Sequence, residues 1–240
     1  MTKMKICGLT RLRDIDIVNE ALPDYIGFVF AESRRRVTPE HAALLKAKLD
    51  PRIKAVGVFV NSKIGEVAEL MNAGIIDLVQ LHGGEDAAYI TELRSEIACP
   101  VIKAVRVQSA AQVLHAETLP CDYLLLDAFR KDAYGGTGTA FDYALIPKLQ
   151  KPYFLAGGLN AGNIRRALEL QPYCLDVSSG ALVAGLDDLA AIAPLTDEPA
   201  TRDARNALQA WDMARTRRSE IRRTGPVPDA AAIAGLSDRI

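Results

Sequence analysis

Two residues able to exchange protons stand where apolar runs stop: Cys7, closing KMKIC ahead of Gly8, and Asp127, behind Leu124, Leu125 and Leu126. A thiolate is a base and a nucleophile, and a cysteine serves as either when a cation or a helix N-terminus holds its pKa below the free value of about 8.5. A carboxyl among apolar neighbours moves the other way. Desolvation raises its pKa and suits it to deliver a proton as a general acid. Position alone leaves a plainer alternative for each, a core cysteine and a loop-anchoring hydrogen-bond acceptor. Cys99, Cys121 and Cys174 stand singly with no Cys-x-x-Cys pair and read as small buried hydrophobes. His41, His82 and His115 have no metal-ligand spacing, so no metal is expected.

Binding groups follow the same logic. The run Ser33, Arg34, Arg35, Arg36 could grip a substrate carboxylate with a planar guanidinium fork, or simply be a solvated loop. Gly157 and Gly158 precede Asn160 and a helical segment, and Ser178, Ser179 and Gly180 precede another. Glycines let backbone N–H groups approach an anion closely, so both loops are candidate phosphate sites, with tight unliganded turns as the alternative. The GGTG loop at 135–138, with Gly136, could add further donors.

Elements must bring these residues together. Eight short apolar runs rich in β-branched residues span 3–7, 25–30, 54–60, 78–82, 101–107, 123–128, 153–158 and 174–180. Their near-continuous hydrophobicity is that of parallel strands covered on both faces. Segments of helical pattern lie between them. Thr38 and Pro39 open one, Ser62 opens another that stops at Gly74, Ser109 opens a third, and Asn160 opens a fourth. Strand and helix alternate about every 20 to 28 residues, which predicts a single (β/α)8 TIM barrel. The alternative, a doubly wound open sheet, would normally begin with a glycine-rich nucleotide fingerprint that this chain lacks. In such a barrel, functional groups collect on the rim formed by the C-terminal strand ends, where Cys7, His82, Arg106 and Asp127 all fall.

The 240 residues are 49% hydrophobic and 25% charged, ordinary values for a globular protein. With 29 basic against 30 acidic residues there is no electrostatic footprint for nucleic acid. No apolar run reaches the roughly 20 residues that cross a bilayer. The N-terminus is charged where a signal peptide would be apolar, so a cytoplasmic protein is expected. The barrel is expected over 1–195, followed by a helical extension over 196–240, weakly ordered at its end. Leu208 and Trp211 in that extension would cover the barrel's flank or a second copy, leaving monomer and homodimer both open.

KICGLT (5–10), GFVFAESRRRVTPE (27–40), VGVFVN (56–61), VQLHG (79–83), IKAVRV (102–107), LLLDA (124–128), YGGTGTAFDY (134–143), LAGGLN (155–160) and DVSSG (176–180) together resemble phosphoribosylanthranilate isomerase, an enzyme of tryptophan synthesis. Nine motifs in the family's order, touching every expected strand, are far more specific than any one. The resemblance implies a barrel of the ribulose-phosphate-binding type, a small phosphosugar substrate and a cofactor-free Amadori rearrangement. It implies Cys7 as general base and Asp127 as general acid. Arg35, with Arg36 as the alternative, would hold the anthranilate carboxylate. Gly157, Gly158, Ser179 and Gly180 would cradle the phosphate, and His82, Arg106 and Gly136 complete the candidate substrate contacts. The chain departs from the family pattern at Ala181, Leu182 and Asp187 in the eighth loop, at Thr139 and at Arg36. Two other readings remain alongside: a bispecific isomerase acting also in histidine synthesis, and a catalytically silent barrel kept as a scaffold.

Overall fold

The structure is a computed structural model that describes residues 2–128, 143–160 and 163–178. Eight strands are present: β1 (Lys3–Cys7), β2 (Tyr25–Val29), β3 (Lys54–Phe59), β4 (Leu78–Leu81), β5 (Val101–Val107), β6 (Tyr123–Ala128), β7 (Tyr153–Leu155) and β8 (Cys174–Val177). They pair in parallel in chain order, and β8 returns to β1 to close the barrel. The expected strands all form, several of them a residue or more shorter at the C-terminal end, because the chain there turns into the rim loops.

Alternation along each strand sorts the side chains into two cores. Ile6, Ile26, Phe28, Val79, Leu81, Leu124 and Leu126 point outward and pack under the helices. Tyr25, Val56, Leu78, Ile102, Leu125, Phe154 and Cys174 point inward and fill the barrel. Aromatic rings plug its N-terminal end, where Tyr123 and Tyr173 lie 4.9 Å apart and Phe154 sits 5.6 Å from both Tyr25 and Tyr173. The interior turns polar only towards the C-terminal end.

The described helices are α1 (Leu12–Ala21), α2 (Pro39–Lys48), α3 (Ile64–Asn72), α4 (Ala87–Glu96), α5 (Ala110–Glu117) and α6 (Ile164–Glu169). Thr38 and Ser109 cap α2 and α5 as expected, their hydroxyls accepting from the N–H groups of His41 and Gln112. Two starts differ. Helix α3 begins behind Lys63 rather than Ser62, and α6 behind Asn163 rather than Asn160. In the latter case the Asn163 side chain accepts from the Asn160 N–H, which ties the two asparagines together ahead of the helix. None of the described helices is long and apolar enough to cross a membrane. The readings for Gly136, Thr139, Ser179, Gly180, the eighth-loop departures and the 196–240 extension lie outside the described residues.

Candidate active site

Cys7 ends β1 with its side chain directed inward, 7% exposed, and Asp127 occupies the corresponding place on β6, 5% exposed. Both line one cavity at the C-terminal mouth of the barrel, together with Arg35, Gln80, His82, Gly157, Gly158, Asp176 and Ser178. The neighbour of Cys7 across the β1–β2 pairing is Gly27. A Cβ on Gly27 would stand 2.6 Å from the Cys7 Sγ, so the glycine makes the space in which the sulfur sits.

Burial pushes the Cys7 thiol up, while the nearby cations Lys5 and Arg35 pull it down. The balance lies above the ordinary value, so the condition that base chemistry sets on the thiol is not met by the surroundings as they stand: the two cations moderate the cost of burial and of the nearby Asp176 carboxylate without overcoming it. Lys5 is wholly enclosed two residues back on the same face of β1. Its ammonium donates to Asp176 Oδ2 and Gln80 Oε1, each at 2.9 Å, and its charge acts on the Cys7 thiol. Burial works against this charge, but the Asp176 carboxylate outweighs it, so Lys5 stays protonated. Asp176 itself is pushed up by burial with Lys5 opposing. Its Oδ1 has no hydrogen-bond partner among the described residues.

The arginine run divides at the rim. Arg35 turns inward, its Nη1 donating to the Cys7 carbonyl at 3.2 Å and to Ser178 Oγ at 2.6 Å. It passes over Gly8, whose φ of +92° and lack of a Cβ are both needed: a Cβ there would lie 2.6 Å from Nη1. Arg36 faces outward, 3.4 Å from the exposed Glu32, and borders a different hollow with Phe30 and Phe59. Arg106, next to last in β5, is paired with Asp127 in register but borders a neighbouring hollow with Gly83, Gln112 and His115. His82 borders both hollow and cavity.

The rim loops are anchored from below. Glu85 accepts from the N–H groups of Asn61 and Gly83 and pairs with the buried Lys103 at 2.8 Å, which fixes the loop behind His82. Gly157 and Gly158 have φ of +87° and +68°, conformations open to glycine that turn successive amides around the loop. The side chains of Asn160 and Asn163 both donate to the Gly158 carbonyl and hold that turn.

The sequence reading overlooked Lys5, Gln80, Asp176 and Gly27. A lysine inside a strand ordinarily reads as solvent-facing, yet the signal was available: Lys5 shares parity with Cys7, Gln80 with His82, and Asp176 with Ser178. Cys99, Cys121 and Cys174 are all buried, as expected of structural cysteines.

A family model described as N-(5'phosphoribosyl)anthranilate (PRA) isomerase matches residues 4–198. Over 200 residues the chain is 48% identical to the N-(5'-phosphoribosyl)anthranilate isomerase of Lachnoclostridium phytofermentans, covering 78% of this chain and 92% of that protein. Among solved structures, phosphoribosyl anthranilate isomerase from Thermotoga maritima is similar at 30% identity and a TM-score of 0.72, with 81% of this chain and 98% of that one covered. Another phosphoribosyl anthranilate isomerase, solved in complex with reduced 1-(o-carboxyphenylamino)-1-deoxyribulose 5-phosphate, matches at 28% identity and a TM-score of 0.64, covering 85% and 96%.

Proposed function

The chain belongs to the N-(5'-phosphoribosyl)anthranilate isomerase family, and from that premise we propose that Cys7 and Asp127 are the base and acid of its aldose–ketose isomerisation. The enzyme is an isomerase of tryptophan biosynthesis. What supports the assignment of roles is that the cysteine and the aspartate, from strands β1 and β6, line one cavity with a guanidinium and a glycine loop.

The chemistry follows from those positions. Asp127 gives its proton to the furanose ring oxygen, and the bond from that oxygen to ribose carbon 1 breaks with its electron pair leaving on oxygen. The anilino nitrogen supplies the electrons that form an iminium ion. That cation acidifies carbon 2, from which the Cys7 thiolate removes the proton. The resulting enolamine tautomerises to the ketone. A buried thiolate needs nearby positive charge, and Lys5 and Arg35 supply it.

Arg35 is the proposed clamp for the anthranilate carboxylate, on the ground that it alone of the Arg34–Arg36 run lines the cavity. The amides of the Gly157–Gly158 turn are the proposed phosphate donors, joined by Ser179 and Gly180 on the strength of the family motif. His82 and Arg106 stand at the rim as proposed contacts.

The test is the decay of anthranilate-type fluorescence when the purified chain meets freshly formed phosphoribosylanthranilate. Native protein should abolish the signal. Cys7→Ser and Asp127→Asn should each lower kcat by at least about 100-fold with the fold intact, the scale set by loss of a general acid or base. A folded native chain without turnover would instead favour a silent barrel.

A further inference from the structure

A buried polar chain crosses the barrel mouth beneath the proposed acid and base. Asp176 Oδ2 accepts from Lys5 Nζ, Lys5 Nζ donates to Gln80 Oε1, and Gln80 Nε2 lies 2.9 Å from His82 Nδ1. His82 Nε2 then lies 3.3 Å from Asp127 Oδ2. We propose that Gln80 is a positioning residue for Asp127: anchored by Lys5, its amide sets the His82 tautomer, leaving Nδ1 unprotonated and the ring proton on Nε2, beside the Asp127 carboxyl. The purpose assigned to it rests on Asp127 serving as the acid.

Each link has only one consistent orientation. An ammonium has donors and no acceptor, so the amide oxygen of Gln80 must face Lys5. The amide nitrogen therefore faces His82, and its hydrogen requires an acceptor there. Nδ1 must be unprotonated, which leaves the ring proton on Nε2. An imidazolium would set the Nδ1 hydrogen against the Gln80 NH2. The amide cannot turn over to relieve this, since that would aim its NH2 at the ammonium. Asp127 and the more distant Asp176 both attract positive charge to the ring, and the fixed amide opposes them.

The Nε2 group is buried and has no hydrogen-bond partner among the described residues. A buried N–H without a partner is costly, and among the described residues the carboxyl that lies beside it, at 3.3 Å, is that of the proposed acid. As Asp127 releases its proton to the ring oxygen, its carboxyl becomes a carboxylate, and the waiting N–H closes to a charge-assisted hydrogen bond. Histidine keeps its proton throughout. Its contribution is to stabilise the charge left behind, and Gln80 determines that it can.

The test uses the full chain with 15N-labelled histidine. Only three histidines occur, and loss of one ring pattern in His82→Gln assigns the signal. At neutral pH the native His82 should show an unprotonated Nδ1 and a protonated Nε2. In Gln80→Glu the carboxylate still accepts from Lys5 but offers His82 an acceptor, so the proton should move to Nδ1. There kcat should fall about tenfold or more while KM stays within about twofold, the mark of an effect on the chemical step. Gln80→Met, close in shape and unable to bond, should mix the two tautomers and lose less. A native His82 protonated on Nδ1 overturns the proposal even if both Gln80 variants fail to fold. So does a folded Gln80→Glu chain whose tautomer is unchanged, or whose tautomer moves without a fall in kcat. The native tautomer as expected, in a chain without isomerase turnover, would overturn the acid role of Asp127 and leave the geometry standing.

Discussion

Arg35 shows how much a single side chain can be committed by its surroundings. Its guanidinium is fixed by the Cys7 carbonyl and Ser178 before any substrate arrives, so little ordering remains to oppose binding. Lysine would keep the charge but lose the planar fork. Arg35→Lys should raise KM about tenfold with a smaller effect on kcat, measured by steady-state fluorescence kinetics. A fall in kcat at constant KM would assign the arginine to the chemical step instead. Gly27 is committed in the opposite sense, by what it leaves out. In Gly27→Ala the new methyl would meet the sulfur at 2.6 Å, and one of the two must shift. Because β2 is paired on both sides, the sulfur should yield, and kcat should drop at least about tenfold while the melting temperature changes little. A variant as active as the native chain would show that the position of the sulfur is not critical.

At the scale of elements, β1 and β8 share a charge pair inside the barrel. The Lys5–Asp176 pair closes the sheet polar layer to polar layer, just where strand pairing also closes it. Removing one partner leaves the other buried without its counter-charge. Lys5→Met should therefore cost about 3–5 kcal/mol, whereas Lys5→Met with Asp176→Leu should recover most of that loss in denaturant unfolding. Equal destabilisation by the single and double variants would mean that packing, rather than charge, dominates the site. The double variant should nevertheless be a poor enzyme, since Gln80 and Cys7 both depend on the ammonium.

The whole molecule stores its sensitivity to pH in buried acids that prefer to be neutral. Burial raises the thiols of Cys7, Cys121 and Cys174 and pushes Cys99 up to about 11. A thiol with a higher pKa in the folded chain holds its proton more tightly there than when unfolded. Its stabilising contribution is complete below the unfolded value, near 9, and is lost as pH rises through the folded one. Thermal stability should therefore decline from about pH 9 through 11, as read from melting curves. A flat profile over that range would show that the thiols are solvated in the folded chain. Glu85, lowered by Lys103 and two backbone amides against the cost of burial, works on the other side: its contribution is present above the ordinary carboxylate value and fades as pH falls through the lower folded one.

Strand positions, the closed barrel and the placing of Cys7 and Asp127 on one rim were all legible in the residue order, because hydrophobic runs and cap residues act over a few neighbours. Thr38 and Ser109 cap where local chemistry says they must. The choice of Arg35 over Arg36 rested on the resemblance alone, since adjacent residues differ only in which way the loop turns over Gly8. The direction of the Cys7 shift was not legible, because it depends on how completely β2, β8 and the rim enclose the sulfur. The chain from Asp176 through Lys5 and Gln80 to His82 draws on three strands up to 171 residues apart. Sequence alone determined which side chains could face the barrel axis, through the two-residue period of each strand. Only closure of the barrel decided which of them meet, because hydrogen bonds across the axis depend on register between strands that no local pattern encodes.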